Sequence, residues 1–189
     1  MLTDKVIREA FIQKSVIKGL SRDSIVEELQ VHNGRAIADI VTLDDEPHCY
    51  EIKSDVDNVY RILVQGEFYN QTFRKISLIT TRKFEDKALR IAPDFWGILI
   101  AKESENGNVI FKTVRNAKIN PFFDKQKATM TLWKCEMLEL IESPKPKMSR
   151  NFLAEIIAKQ KGPKELSRDI CFLLQKRRIL KELNPIRNL

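Results

Sequence analysis

The chain has 189 residues, of which 43% are hydrophobic and 31% charged, a composition typical of a globular domain that buries its own core. No apolar run approaches the roughly 18–20 residues that a membrane span requires, and the first residues contain no secretory signal. Three cysteines and two histidines, far apart in sequence, fit neither a disulfide framework nor a zinc site. We therefore expect a cytoplasmic protein without membrane contact.

The net charge of +7 is distributed unevenly along the chain. Residues 143–189 contain 12 Lys and Arg against 4 Asp and Glu, whereas residues 1–142 are close to neutral. Concentrated positive charge attracts polyanions, because neutralised phosphates release condensed counterions. A helical tail kept in water by its lysines is the equally simple alternative.

Hydrophobic periodicity and turn residues predict the following elements in chain order. The predicted helices cover 3–19, 21–31, 57–73, 85–91, 128–141, 150–160 and 164–183, and the predicted strands cover 36–43, 48–53, 76–81, 96–101 and 108–114. A proline-broken linker, "ESPKPKMS", is predicted at 142–149.

This order predicts an α/β fold with a mixed central sheet flanked by helices. We expect one domain over residues 1–142 and a basic helical C-terminal extension over residues 143–189. The last predicted helix contains "QKRR" and leaves three interpretations open: binding to nucleic acid, binding to an acidic protein partner, or a solvated face.

Three charged residues stand in the two predicted strands of the first hairpin, where apolar residues are expected. Asp39 lies in "AIADIVTL", and Glu51 and Lys53 lie in "CYEIK". Side chains alternate across a strand, so Glu51 and Lys53 share one face, and the hairpin can bring Asp39 beside them. Converging carboxylates repel each other unless a cation lies between them, and oxygen ligands suit Mg²⁺ or Mn²⁺. The alternative is a solvated hairpin face with an ordinary surface ion pair.

The same residues resemble a known nuclease core. "IADIV" followed by "CYEIKS" is similar to the PD-(D/E)XK nuclease superfamily, and "QGEFY" resembles the Gln-x-x-x-Tyr motif of its exonuclease-type members. Residues 20–140 are most similar to a group of small bacterial and prophage proteins of unassigned function that share this predicted core. The position before Asp39 holds Ala38 where the superfamily name has proline.

The resemblance implies a restriction-endonuclease-like core and a Mg²⁺- or Mn²⁺-dependent nuclease that hydrolyses phosphodiester bonds of DNA. It implies that Asp39, Glu51 and the backbone carbonyl of Ile52 bind the metal and that Lys53 assists the attack of water. A supporting role in catalysis is implied for Gln65, Tyr69 and Glu28, with Glu28 favoured over Glu27 and placed on a helix before the hairpin.

Candidate nucleic-acid contacts are cations near the predicted site or in the basic extension: Arg61, Arg82, Lys83, Lys176, Arg177 and Arg178. Two non-enzymatic alternatives remain. One is a nucleic-acid-binding protein that keeps the nuclease scaffold, and the other is an interaction protein of a mobile element that binds a partner through its C-terminal helices.

Overall fold

The computed structural model describes residues 1–143 and 147–183, so part of the predicted linker at 142–149 lies outside the described residues. The helices are α1 (Asp4–Ile17), α2 (Arg61–Thr72), α3 (Glu85–Ile91), α4 (Lys125–Thr129), α5 (Lys134–Glu139), α6 (Arg150–Gln160) and α7 (Pro163–Leu183). The strands are β1 (Ile25–Val31), β2 (Ala36–Leu43), β3 (Pro47–Lys53), β4 (Lys75–Thr81), β5 (Gly97–Glu103) and β6 (Val109–Arg115). Short 3₁₀ turns occupy Arg22–Ser24, His32–Gly34 and Arg82–Phe84.

The six strands form one mixed sheet in the order β1-β2-β3-β4-β5-β6. The hairpins β1–β2, β2–β3 and β5–β6 are antiparallel, because their connections are too short for a crossover. Strands β3, β4 and β5 run parallel, and α2 and α3 provide the two crossovers. The predicted α/β fold with a mixed sheet and C-terminal helices is confirmed.

Each face of the sheet buries its own apolar cluster. The first face carries α2, α4, α6 and α7 and buries Tyr69 and Trp96 among many aliphatic side chains. The second face is covered by α1, whose Ile7 and Phe11 pack on Ile40, Ile52 and Ile79. A fully buried side chain of this size contributes about 1.5–3 kcal/mol by leaving water, so both layers hold the sheet in place.

Helices α6 and α7 bury Leu153, Ile157, Leu166 and Leu174 in the same cluster as the sheet residues of the first face. The basic extension predicted for 143–189 is therefore packed on the domain over its described part, although the division of the chain at residue 142 stays a prediction. Across the described ranges, no helix is long and apolar enough to cross a membrane.

The helix predicted at 21–31 is wrong, because residues 25–31 form strand β1. The spacing of Ile25 and Leu29, four residues apart, imitates one turn of a helix. In the structure these two side chains lie on opposite faces of the sheet, Ile25 against α1 and Leu29 in the other cluster. The backbone at Glu28 has a φ of 56°, which leaves the extended region and switches the face to which the following side chains point.

The single helix predicted at 128–141 is also wrong, because two short helices, α4 and α5, replace it. The backbone of Trp133, with φ −72° and ψ 160°, is extended and interrupts the helical path. The carboxylate of Glu136 accepts the Trp133 N–H at 2.6 Å and caps the second helix.

Gly97, at the start of β5, lies so close to Ser77 and Ala117 that the structure leaves no room for a side chain there. A Cβ at this position would collide with Ser77 Oγ and lie 3.0 Å from the Ala117 backbone nitrogen. We expect Gly97→Ala to lower the free energy of unfolding in urea by about 1–3 kcal/mol. Gly162→Ala is the control, since no heavy atom lies within 4 Å of its added Cβ, and it should cost less than about 1 kcal/mol. Equal losses in the two variants would contradict this account.

Candidate active site

A local break in strands β1 and β2 creates the site. The register of β1 and β2 pairs Glu27 with Ile40 and Leu29 with Ala38, and Glu28 and Asp39 lie opposite each other between these pairs without joining the ladder. Both strands change face at this point, since Ala38 packs in the first cluster and Ile40 in the second. Asp39 therefore lies at a fault in the sheet, where its carboxylate can reach across to β3.

Asp39 is held by β3 and by α1. The ladder between β2 and β3 ends at the pair of Ile40 and Tyr50, and beyond it Asp39 Oδ2 accepts the N–H of Ile52 at 2.7 Å. Arg8 donates to Asp39 Oδ1 at 3.1 Å and to the Asp39 carbonyl at 3.0 Å. Burial raises the pKa of Asp39, while the Ile52 N–H, Lys53 and Arg8 partly oppose this shift.

Glu51 and Lys53 share one face of β3, as their two-residue spacing predicts. Both are buried, and the Lys53 ammonium donates to Glu51 Oε1 and, at 3.2 Å, to Gln65 Oε1. Burial, followed by the negative charge of Asp39, raises the pKa of Glu51 to about 7, although Lys53 and Tyr69 stabilise the charged form. Glu51 therefore changes its charge close to neutral pH in the absence of a bound cation.

Helix α2 adds Gln65 and Tyr69, which are four residues apart and so lie on one helical face. The Tyr69 hydroxyl lies 2.6 Å from the Ile37 carbonyl and 2.8 Å from Glu51 Oε2, and its single proton can serve only one of these acceptors. When Glu51 is protonated, its own O–H donates to Tyr69, and Tyr69 donates to Ile37. Burial and the nearby Glu51 raise the pKa of Tyr69, so the hydroxyl remains a donor.

Four of the residues described above, Asp39, Glu51, Lys53 and Gln65, line one cleft of about 730 Å³. We call it the acid–lysine cleft and define it by these four residues. Arg61 and the exposed Glu28 lie on its walls, with Glu28 Oε1 4.0 Å from Arg8 Nη1. Glu28 belongs to strand β1, so its predicted place on a helix is wrong, and its role in catalysis stays a prediction. Ile52 also lines the cleft, and the use of its carbonyl as a ligand stays a prediction.

Asp39 and Glu51 offer the oxygen donors that a divalent metal ion such as Mg²⁺ prefers. Among the described residues, no three His, Cys, Asp or Glu side chains are grouped closely enough to hold one. Three of the four oxygens of the two carboxylates accept hydrogen bonds from Arg8, Ile52 and Lys53, and the fourth, Glu51 Oε2, shares the Tyr69 hydroxyl with the Ile37 carbonyl. Two carboxylates supplemented by water nevertheless satisfy Mg²⁺, provided that Lys53 or Arg8 gives up its place. The two carboxylates thus match a hard metal ion in donor chemistry.

Sequence reasoning missed two residues of the site, Arg8 and Asp4, both on α1. Asp4 lines the cleft and accepts from Arg8 Nε at 3.3 Å, and its charge helps to raise the pKa of Asp39. The spacing of Asp4 and Arg8, one helical turn apart, is the only signal in the sequence. That spacing is common on exposed helices, whereas the contact of Arg8 with Asp39 spans 31 residues.

Of the candidate nucleic-acid contacts outside α7, only Arg61, the first residue of α2, lines the described acid–lysine cleft. Arg82 is exposed in the 3₁₀ turn that follows β4. Lys83 donates to the Asp55 carbonyl at 2.7 Å and lies over the Phe84 ring. None of these contacts excludes a phosphate ligand, and the predicted role of the three cations stays a prediction.

The three candidate cations of α7 all have acidic partners within the protein. Lys176 pairs with Glu139 at 2.7 Å, and Arg178 pairs with Glu182 at 3.3 Å. Arg177 is largely buried, where it binds both oxygens of Glu136 and stacks on the Trp133 ring. This ion pair joins α7 to α5, which gives Arg177 a structural role beside its predicted one.

The fold and the site together define an α/β protein with a six-stranded mixed sheet and a buried cluster of two acids and a lysine. The chain belongs to the Bacteriophage P4 protein cII family, which matches residues 2–178. It is 25% identical over 142 residues to protein cII of Enterobacteria phage P4, an alignment that covers 75% of this chain and 53% of that protein. The chain thus spans about half the length of this curated relative.

Among solved structures, the SPO1766 protein of unknown function from Silicibacter pomeroyi is similar with a TM-score of 0.44 and 14% identity. The match covers 94% of this chain and 92% of that chain, and at this TM-score it carries no argument about function. The expected relation to phage proteins is confirmed, and a nuclease is named in none of these matches.

The raised pKa of Glu51 predicts a dependence of stability on pH. Folding raises this pKa from 4.5 to about 7, so the ionised carboxylate costs free energy in the folded state. The cost is absent below pH 4.5, grows as the pH rises to about 7 and then stays constant at about 3 kcal/mol. Glu51→Gln removes the charge and keeps the shape, so we expect this variant to be more stable than the wild type above about pH 7 in EDTA.

Thermal unfolding of both proteins from about pH 4.5 to about pH 8 measures this difference. The advantage of Glu51→Gln should shrink as the pH falls and disappear near pH 4.5. A constant difference over the whole range would show that the carboxylate of Glu51 is not destabilised by burial.

Proposed function

We propose that this protein is a metal-dependent nuclease with a restriction-endonuclease-like core that hydrolyses phosphodiester bonds of DNA. The observation that carries the proposal is the convergence of Asp39, Glu51, Lys53 and Gln65 in one cleft. The alternative of a solvated hairpin face does not account for Glu51 and Lys53, because these residues are only 1% and 6% exposed. Buried charges are expensive, and they persist where they serve a function or are fully paired.

Asp39 and Glu51 are the carboxylates that would hold Mg²⁺ or Mn²⁺, with the Ile52 carbonyl as a further ligand. The ion, when bound, supplies Lewis acidity toward a phosphate and lowers the pKa of water. Asp39 is fixed for this task, because the Ile52 N–H and Arg8 orient its carboxylate. Tyr69 fixes Glu51 in the same way from α2.

Lys53 is the group that would meet the substrate. Its ammonium, between Glu51 and Gln65, is held by two acceptors and points into the cleft that Arg61 also lines. A ligand that engages Glu51 releases Lys53 to neutralise a phosphate oxygen and to orient an attacking water. Gln65 accepts from the ammonium through its side-chain oxygen and would keep it in position. The exposed Glu28, which lines the same cleft, would orient water.

Lys53→Ala tests the nuclease directly. We expect cleavage of labelled linear, circular and branched DNA with Mn²⁺ to fall at least about 100-fold, because one strong transition-state contact is lost. Lys112→Ala is the matched control, since Lys112 is an exposed lysine of the edge strand β6. Cleavage by purified Lys53→Ala at the wild-type rate would remove Lys53 from the mechanism.

Metal binding has a readout that does not require activity. A ligand present at about 100 times its Kd stabilises the folded state by about 2.7 kcal/mol, so Mn²⁺ should raise the unfolding temperature of the wild type. Asp39→Asn should abolish this rise, whereas Asp94→Asn, which changes an exposed acid outside the cleft, should retain it. An equal rise in Asp39→Asn would place the metal elsewhere.

The second candidate is a nucleic-acid-binding protein that keeps the nuclease scaffold without its chemistry. It is favoured by one observation, that Arg8, Ile52, Lys53 and Tyr69 place a donor within hydrogen-bonding distance of every oxygen of the two carboxylates. This candidate requires salt-dependent DNA binding in EDTA and no cleavage with either Mg²⁺ or Mn²⁺.

A further inference from the structure

A second cleft lies on the other side of Glu28 from the acid–lysine cleft. It has a volume of about 420 Å³ and separates β1 from the C-terminal helices. We call it the basic cleft and define it by Trp133, Arg150, Arg177, Arg178 and Lys181, which line it. Glu28 and Gly34 line both clefts, so the two are neighbours that meet at these residues, and we call them together the groove.

Several cations of the basic cleft are incompletely paired inside the protein. The Nε atoms of Arg150 and Arg178 are buried without a hydrogen-bond partner. Lys181 forms no ion pair with the residues that the structure describes, and its ammonium lies 5.4 Å from the centre of the Trp133 ring. Arg178 also pairs with Glu182 at 3.3 Å within α7, and Arg150 donates to the carbonyls of Met130 and Leu132. The donors that these contacts leave unused, together with the Lys181 ammonium on the same wall, favour an anionic ligand.

The acidic residues of the same cleft do not cancel this charge. Glu27 is engaged by Arg22, with which it forms a short ion pair, and Glu28 lies 4.0 Å from Arg8. Arg35 and Arg61 line the acid–lysine cleft, and neither forms an ion pair within the described ranges. They add positive charge to this part of the groove. The groove thus offers cations at both ends.

Trp133 gives the basic cleft a base-sized aromatic surface. It is 48% exposed, which is unusual for a residue of this size, and Arg177 and Lys181 lie over its ring at 4.4 and 5.4 Å. An exposed ring beside phosphate-binding cations is the arrangement with which proteins hold single strands, because an unpaired base can stack and a base inside a duplex cannot.

We propose that the basic cleft binds a single-stranded segment of nucleic acid that continues into the acid–lysine cleft, with Arg178 and Lys181 on its phosphates and Trp133 stacked on a base. The proposal rests on the function proposed above and specifies its substrate class. A single strand is narrower than a duplex, so it suits a path from one cleft to the other past Glu28, which lines both.

Fluorescence anisotropy of a labelled oligothymidylate of about 20 nucleotides, measured in EDTA, tests the proposal. We expect the wild type to bind the single strand at least about tenfold more tightly than the matched duplex. Arg178→Gln combined with Lys181→Gln should weaken binding at least about tenfold and reduce the slope of log K against log salt by about 1.4. Trp133→Leu should weaken binding about tenfold with an unchanged salt slope.

Lys102→Gln combined with Lys112→Gln removes the same charge from the opposite edge of the sheet and is the matched control. Thermal unfolding of every variant verifies its fold. Equal losses in the two double variants, or no preference of the wild type for the single strand, would overturn the proposal. If no DNA is cleaved while only the basic-cleft variants lose binding, the nuclease fails and this site stands. If cleavage occurs and those variants bind and cleave normally, the nuclease stands and this site fails.

Discussion

The hydrogen bond from the Ile52 N–H to the carboxylate of Asp39 is the interaction on which the site depends. Strand N–H groups normally meet backbone carbonyls, and an unpaired one inside a sheet costs about 1–3 kcal/mol. Here the backbone pairing of β2 with β3 ends at Ile40, and the Asp39 carboxylate, in place of a backbone carbonyl, accepts the N–H of Ile52. This bond places a carboxylate in the plane of the sheet beside Glu51. The left-handed backbone of Glu28 on the neighbouring strand permits the same fault, because it lets both strands change face together.

The charges of the site are balanced by the protein itself. Two carboxylates, Asp39 and Glu51, face two cations, Arg8 and Lys53, and this pairing lets the three charged groups of the sheet stay beneath helices α1 and α2. The balance is incomplete, since burial still raises the pKa of both acids. A site that costs stability in this way is typical of function, because a fold under selection for stability alone would replace such residues by apolar ones. An added divalent ion would relieve the same cost, and a phosphate would compete for the same lysine.

The sequence predicts those parts of the structure that depend on local pattern. Side chains alternate along a strand, so Glu51 and Lys53, two residues apart, are predicted to share one face of the sheet. Residues four apart are neighbours on a helix, so Gln65 and Tyr69 are predicted to share one helical face. In the structure Gln65 contacts Lys53 and Tyr69 contacts Glu51. The strand β1 could not be predicted, because the face change at Glu28 places Ile25 and Leu29 on opposite sides of the sheet and destroys the alternation that identifies a strand. Arg8 could not be predicted either, since its partner Asp39 is remote in sequence and only the packing of α1 on the sheet brings them together.

The basic C-terminal region shows why net charge alone does not locate a binding surface. Several of its cations are used internally: Arg177 on the buried Glu136, Lys176 on Glu139, and Arg168 on Asp45 at 2.8 Å. These ion pairs attach α7 to the rest of the domain and neutralise part of the positive charge of the C-terminal region. Arg178, whose ion pair with Glu182 lies within α7, and Lys181, which forms no ion pair with the described residues, line the basic cleft together with Glu28. Glu28, the site of the backbone irregularity beside Asp39, lines both clefts, so the acids of one cleft and the cations Arg178 and Lys181 of the other lie on either side of the same residue.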